Sequence, residues 1–226
     1  MKKKFYTEAA YLLGLIVLAL GTALMEKANF GMSMVVAPAY ILHLKVSQYA
    51  PVFTFGMAEY TFQAFLLIVI SLVLRRFRIS FLFSFCTAVI YGLLLDTALW
   101  LAAPIPGGIL AVRVICYVVG MAACSLGVSM LFHTYISPEA YELFVKELSS
   151  KYGFDIHKCK TVYDCISCLV GVILSFAFFG FGHFEGVNWG TIICALVNGW
   201  LIGQCTGLLE GHFEFLDGLP LRKYFE

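Results

Sequence analysis

The fold of this chain is decided by residues Gly107–His133, which read GGILAVRVICYVVGMAACSLGVSMLFH. The stretch is long and apolar enough to cross a bilayer as one helix. It also repeats an earlier pattern, because Gly120 and Gly127 in VGMAACSLG follow Gly14 and Gly21 in LGLIVLALG, each displaced by 106 residues. We therefore expect two related halves, of which this stretch opens the second.

The composition of the chain is that of a membrane protein. Of 226 residues, 61% are hydrophobic and 13% are charged, and the mean hydropathy is +0.89. These values exclude an ordinary soluble domain, and the length leaves room for about six membrane-spanning helices of roughly 20 residues each. We therefore expect the chain to be embedded in a lipid bilayer. The net charge of +1 gives no indication of nucleic-acid binding.

Hydropathy predicts six spans in two repeats. The first repeat, residues 1–104, contains spans at about 8–26, 56–75 and 80–103. The second, residues 105–210, contains spans at about 108–133, 161–181 and 187–209, and residues 211–226 form a cytoplasmic tail. Because each repeat has an odd number of spans, the second must be inverted relative to the first. The expected fold is an all-α integral membrane protein built from two inverted-topology repeats.

The basic residues predict the orientation of these spans. Only Lys27 and Lys45 fall on one side of the predicted membrane. The other side carries twelve basic residues: Lys2, Lys3, Lys4, Arg75, Arg76, Arg78, Lys146, Lys151, Lys158, Lys160, Arg222 and Lys223. Since Lys and Arg accumulate on the cytoplasmic side, both the N-terminus and the C-terminus should be cytoplasmic.

Each repeat carries a short segment after its first span. Residues 29–46, NFGMSMVVAPAYILHLKV, are too apolar for a solvated loop and too broken by Gly31 for a full span. They predict a re-entrant or interfacial half-helix. The counterpart, residues 137–151, reads SPEAYELFVKELSSK and offers Ser137 as N-cap and Pro138 at the first helical position. It predicts an amphipathic helix on the inner surface.

These motifs together resemble the YczE/YitT-like bacterial membrane proteins. The resemblance rests on the two glycine pairs and on the stretches GMSMVVAPAYIL, EYTFQ, RRFR, TVYDCIS and NWGTIICALVNG, and it covers nearly the whole chain. It implies a small multi-pass protein of the bacterial plasma membrane, of Gram-positive type. It implies no particular activity.

Two acidic residues occupy matching places in the repeats. Glu59 and Asp164 open the second span of each half and are displaced by 105 residues. A carboxylate inside a membrane can bind a proton or a cation, although acids are also favoured at helix starts by the helix dipole. Their matching positions favour a gate or a coupling role.

A second candidate pair lies where the two halves meet. Asp96 in the third span and Arg113 in the fourth lie at similar depth and are joined by a short turn. We expect the two side chains to be within reach of each other. The pair has two interpretations, a structural ion pair or a substrate-binding or gating pair.

Three polar side chains complete the candidate site. Gln63 follows Glu59 by one helical turn, Tyr60 is adjacent to Glu59, and Asn198 lies within the sixth span. They could line a central cavity for a solute. They could equally hold helices together, which is the commoner use of an amide inside a membrane.

We expect no enzyme activity, no cofactor and no metal site. Cys165 and Cys168 form a C-x-x-C pair, but a structural zinc site needs a second pair of ligands. The sequence contains no HExxH motif, Gly-rich phosphate loop or nucleophile elbow.

The leading functional hypothesis is a small secondary transporter or permease. It would move a small polar solute, cationic or zwitterionic, by alternating access, with proton coupling through Glu59 or Asp164. One alternative is a substrate-capture subunit of an ATP-driven importer, and another is a non-transporting membrane accessory or scaffold protein. The sequence leaves open whether the chain forms a homodimer or joins partner membrane subunits.

Overall fold

The structure, a computed structural model, describes residues 2–75, 77, 79–182, 184–220 and 222, without the side chains of Ile79 and His157. These residues form eight helices and two short strands: β1 (Lys3–Tyr6), α1 (Thr7–Ala28), α2 (Ala37–Val46), α3 (Phe55–Leu74), α4 (Ile79–Ala102), α5 (Leu110–Phe132), α6 (Ala140–Tyr152), α7 (Ile156–Phe179), α8 (Trp189–His212) and β2 (Phe213–Leu216). Three basic residues used to predict orientation, Arg76, Arg78 and Lys223, lie outside the described residues.

Six of the helices, α1, α3, α4, α5, α7 and α8, are long and apolar enough to cross a membrane. The six predicted spans are therefore confirmed as helices, and most bounds agree to within three residues. The exception is α7, which begins at Ile156 and not at about residue 161. The prediction counted Lys160 among the charges on the cytoplasmic side and began the span after it, whereas in the structure Lys160 is a buried residue of α7, ion-paired with Asp164 one turn further on.

The most extensive helix contact joins α1 to α5. The two helices run antiparallel, since Gly14 lies against Gly127 while Gly21 lies against Gly120. A Cβ atom added to Gly21 would lie 2.8 Å from the Gly120 carbonyl oxygen, and one added to Gly120 would lie 2.8 Å from the Gly21 carbonyl oxygen. Only glycine allows backbones to approach this closely.

The remaining helices surround this crossing. In the first half of the chain, α4 packs on α1 and on α3, and α2 packs on α3. In the second half, α8 packs on α5 and on α7, and α6 packs on α7. The two short helices also reach across, because α2 contacts α7 and α6 contacts α3 and α4.

The short helices are both present, but α6 differs from its prediction. It begins at Ala140 with Glu139 as N-cap, so Ser137 is not the cap and Pro138 precedes the helix. The carbonyl groups of Ser137 and Pro138 accept hydrogen bonds from Thr87 and Ser84 at 2.9 and 2.5 Å, which holds them on α4. The first half of α6 is buried in the protein, so α6 is not an amphipathic helix lying on the surface.

The described residues of the segment predicted as a cytoplasmic tail pack against the start of the chain. Helix α8 continues to His212, and β2 then pairs in parallel with β1. The Glu8 carboxylate accepts hydrogen bonds from the backbone N–H groups of Gly218 and Leu219 and from the Tyr135 hydroxyl. We call β1, β2 and Glu8 the clasp. It joins the first and the last spanning helices at one end of the molecule.

Candidate functional site: a buried acidic cluster

Four carboxylates lie close together inside the protein. Glu59 and Asp164 are fully buried, and Glu139 and Glu142 are exposed by only 1% and 3%. We call these four residues the acidic cluster. The one cation that the described residues place in ion-pair contact with the cluster is Lys160, which is also buried. An unpaired charge is costly in such an interior, so the partners of each acid decide the chemistry.

On the α3 side of the cluster, Gln63 joins two acids. Its amide nitrogen donates to Glu59 Oε2 at 3.3 Å and to Glu139 Oε2 at 2.9 Å. Its amide oxygen accepts from the Ala140 backbone N–H at 3.0 Å, which fixes the amide orientation because that N–H can only donate. The Tyr141 hydroxyl donates to Glu59 Oε2 at 2.8 Å.

On the α7 side, the acids are ion-paired. The Lys160 ammonium lies 3.0 Å from Asp164 Oδ1, one helical turn along α7, and 3.4 Å from Glu142 Oε1. The Asn198 amide donates to Asp164 Oδ2 at 3.5 Å and accepts from the Ser125 hydroxyl at 2.9 Å. This half of the cluster therefore links α6, α7 and α8, and through Ser125 also α5.

Three carboxylate oxygens of the cluster have no hydrogen-bond donor among the described residues: Glu59 Oε1, Glu139 Oε1 and Glu142 Oε2. Asp164 Oδ1 also lacks a well-directed hydrogen bond, but the Lys160 ammonium at 3.0 Å neutralises it. Buried polar atoms are normally satisfied. The three oxygens are therefore the places where the cluster can take up a proton or a positively charged group.

A small cavity of about 20 Å³ borders the cluster, enough space for about one water molecule. Its polar lining includes Thr22, Ser33, Tyr91, Glu139, Glu142 and Asn198, all of them buried. Several of its lining residues, such as Leu18 and Tyr91, lie near the middle of their helices. We call it the central cavity.

The N-terminal ends of both short helices point to the central cavity. Val35 and Val36 directly precede α2, and Glu139 and Tyr141 flank the first residue of α6. Free backbone N–H groups at a helix N-terminus carry a partial positive charge. The partial positive charge at the start of α6 therefore favours the acids Glu139 and Glu142. The central cavity lies between the N-terminal ends of α2 and α6.

A larger cavity of about 120 Å³, which we call the vestibule, lies where α1 ends and α8 begins. Its lining includes Glu26, Asn29, Tyr40 and Glu185. Burial, together with the charges of Glu26 and Glu185, raises the pKa of Tyr40 to about 12. On the predicted orientation, the vestibule faces outward.

One face of α1 runs from the vestibule to the central cavity. Met25, Glu26 and Asn29 line the vestibule, and Leu18 and Thr22 line the central cavity. These residues follow the spacing of a single helix face. The segment before α2 returns along the same path in the opposite chain direction, since residues 31–32 line the vestibule and residues 33, 35 and 36 line the central cavity.

Asp96 and Arg113 do not form the expected pair. Within the described part of the chain, Asp96 accepts hydrogen bonds from the Thr54 hydroxyl at 2.8 Å and the Gly56 N–H at 2.9 Å. Arg113 donates to the carbonyl groups of Ala28 and Asn29 at 2.7 and 2.9 Å. Asp96 thus secures the start of α3 in its own half, whereas Arg113 secures the end of α1 in the other half.

The structure brings four of the predicted site residues into or beside the acidic cluster: Glu59, Gln63, Asp164 and Asn198. It leaves out Asp96, Arg113 and Tyr60, which is half-buried and lies against Gly92. Whether any of the seven binds a solute stays a prediction.

Sequence reasoning missed four members of the site: Glu139, Tyr141, Glu142 and Lys160. Glu139, Tyr141 and Glu142 fall within the segment predicted as an amphipathic surface helix, and Lys160 was counted among the charges that set the orientation. Two signals were available in the sequence. Lys160 precedes Asp164 by one helical turn, and in the predicted repeat α6 is the counterpart of the apolar segment before and within α2.

Comparison with known proteins identifies a family and gives no activity. A family model described as a family of unknown function, DUF6198, matches residues 5–207, which is most of the chain and includes the whole acidic cluster. No curated protein and no solved structure matches the chain. The similarity to YczE/YitT-like proteins stays a resemblance. By the extent of the match, this membrane protein belongs to the DUF6198 family.

Proposed function

We propose that this chain is a small secondary transporter that moves a small polar solute, cationic or zwitterionic, by alternating access between two inverted repeats. The observation that carries the proposal is the acidic cluster. The cluster contains four buried carboxylates and one buried ammonium, and its members Glu139, Glu142 and Lys160 line a cavity near the middle of the spanning helices. Charges inside a membrane are costly and mark ion or substrate pathways.

The α1–α5 crossing supports the inverted repeats. The sequence relates Gly14 to Gly120 and Gly21 to Gly127. In the structure Gly14 lies against Gly127 and Gly21 against Gly120. If each glycine is replaced by its counterpart in the other half, the Gly14–Gly127 contact becomes the Gly120–Gly21 contact. A two-fold axis between the two antiparallel helices requires this relation. Such an axis lying in the membrane plane is typical of transporters built from inverted repeats.

The other helix contacts support the same relation. The contacts of α3 with α4, α1 with α4 and α2 with α3 match those of α7 with α8, α5 with α8 and α6 with α7. The contact of α2 with α7 matches that of α6 with α3. We propose residues 1–104 and 105–210 as the two repeats, each with a short re-entrant helix.

The position of the central cavity suits an alternating-access site. It lies between the N-terminal ends of α2 and α6, where transporters of this architecture bind their substrates. At about 20 Å³ it is too small for an organic solute, so the structure corresponds to a closed state. Opening between the repeats would connect it to the vestibule along α1, past the buried side chains of Met25 and Met32.

A screen for solute binding tests this proposal. Purified protein is heated in detergent with a panel of monovalent cations, amines and amino acids. A solute at about 100 times its dissociation constant stabilises the protein by about 2.7 kcal/mol. A solute of the proposed site should raise the melting temperature of the wild type and of Glu214→Gln, an exposed acid outside the site, but not that of Glu59→Gln.

Uptake into liposomes completes the test. The solute found by the screen should enter liposomes that contain wild-type protein faster when a proton gradient is imposed. Binding without uptake, with an ATPase co-purifying from the native membrane, would support the substrate-capture alternative instead. Well-folded protein that binds no solute in the panel and supports no uptake would favour the accessory alternative and overturn our proposal.

A further inference from the structure

The two sides of the acidic cluster differ in how their charge is balanced. Lys160 lies within 4.0 Å of Asp164 and Glu142. Among the residues that the structure describes, no cation lies that close to Glu59 or Glu139. Two ionised carboxylates in this position would leave uncompensated negative charge in a dry interior, which is strongly unfavourable.

The geometry between Glu59 and Glu139 is that of two acids sharing one donor group. Both use Oε2 to accept from the same Gln63 amide nitrogen, and both leave Oε1 without a donor from the described residues. Glu139 lines the central cavity, whereas Glu59 does not. A proton that reaches the pair through the central cavity therefore meets Glu139 first.

The groups that interact electrostatically with Glu139 come from every helix packed around it. They are Tyr11 of α1, Glu59 of α3, Tyr91 of α4, Cys124 of α5, Tyr141 and Glu142 of α6, and Lys160 of α7. Burial, followed by the negative charges of Glu142 and Glu59, raises the pKa of Glu139 well above its usual range. The Gln63 hydrogen bond and the Lys160 charge act in the opposite direction.

We propose that Glu59 and Glu139, bridged by Gln63, hold one proton between them at neutral pH, and that this proton is exchanged with the central cavity at Glu139. On release, the carboxyl O–H bond of Glu139 breaks and its proton passes to water or to a basic solute, leaving a carboxylate. Asp164 stays ionised beside Lys160. As a coupling site this inference rests on the proposed transport function, but proton binding itself does not.

The direct test is infrared spectroscopy of the protein in lipid nanodiscs during a pH titration. A protonated carboxylic acid has a carbonyl stretch that is separate from the bands of a carboxylate. The wild type should show this band at neutral pH and lose it at alkaline pH. The band should be absent from Glu139→Gln, because the remaining Glu59 no longer faces a like charge and keeps hydrogen bonds from Tyr141 and Gln63 that favour its carboxylate form. It should be retained in Asp164→Asn and in the surface control Glu214→Gln.

Two further variants keep the test decisive if Glu139→Gln does not fold. Glu59→Gln removes the like charge beside Glu139, so the alkaline loss of the band should move to lower pH. Glu139→Asp keeps an acid but shortens its reach to Gln63, so the band should persist with a shifted pH midpoint.

Three results would overturn the inference. The first is that the wild type shows no band of a protonated carboxylic acid at neutral pH. The second is that the band is lost in Asp164→Asn but kept in Glu139→Gln. The third is that the band disappears at neutral pH when sodium replaces choline at constant ionic strength. The last result would identify a sodium site. Because this experiment uses no solute, a band that behaves as expected together with no uptake would refute transport and leave the proton site standing.

Discussion

Glu59 and Asp164 lie at matching places in the two halves of the chain, and their surroundings are opposite. Asp164 has an ammonium group 3.0 Å away, supplied by Lys160 of its own helix. Glu59 has a tyrosine hydroxyl, an amide and, through that amide, a second carboxyl group, that of Glu139. The same type of side chain is therefore part of a balanced ion pair in one half and of an acid pair in the other. Two positions that match in the proposed repeat therefore differ in their chemistry.

The largest effect is expected when Lys160 is removed, the one cation that the described part of the chain places in ion-pair contact with the cluster. Lys160→Met should destabilise the protein by about 3–5 kcal/mol, because it leaves Asp164 and Glu142 buried without a positive partner. Thermal unfolding in detergent measures the effect. The double variant Lys160→Met/Asp164→Asn should recover part of the loss. If Lys160→Met alone is as stable as the wild type, Lys160 does not neutralise the charge of Asp164 and Glu142.

A smaller loss of stability is expected when leucine replaces Gln63 or Asn198, the amide side chains that contact Glu59 and Asp164. Gln63→Leu leaves the Ala140 backbone N–H and two carboxyl groups without their partner, which should cost about 1–3 kcal/mol. Asn198→Leu should cost less, because its bond to Asp164 is long at 3.5 Å and Lys160 remains. Unfolding curves of both variants at one pH give the comparison, and a larger loss for Asn198→Leu would contradict it.

The smallest expected effect is a change in how stability depends on pH. Because the pKa of Glu139 is raised in the folded protein, its contribution to stability is fully present below the ordinary value of 4.5. It is lost as pH rises through the raised pKa. The wild type should therefore melt at lower temperature as pH rises through the neutral range, and Glu139→Gln should flatten this trend. The same flattening in Glu214→Gln would show that Glu139 is not its source.

The six spans could be predicted from sequence because hydrophobic length is a local property. The correspondence of the glycine pairs could also be found from sequence, since Gly120 and Gly127 follow Gly14 and Gly21 at a fixed displacement. Glu59 and Asp164 were found because a charge in an apolar run is conspicuous.

The rest of the site depends on how α6 enters the protein, which no local pattern specifies. Glu139 and Glu142 lie in a segment whose charge is typical of a surface helix. They are buried because α6 packs against α3, α4 and α7, which are distant in sequence. The Asp96–Arg113 pairing failed for the opposite reason. Sequence proximity suggested a partner, but backbone groups of Gly56, Ala28 and Asn29 were nearer.

The clasp has a mechanical consequence. It joins β1, which leads into α1, to β2, which follows α8, so the two proposed repeats are tied at this end by strand pairing and by the Glu8 hydrogen bonds. At the other end, beside the vestibule, the segment after α1 is joined to the start of α8 by backbone hydrogen bonds from Gly190 to Phe30 at 2.9 Å and from Met32 to Gly186 at 3.1 Å. In the proposed alternating-access cycle, opening at the clasp would therefore have to break strand pairing, whereas opening at the vestibule would have to break these two backbone bonds.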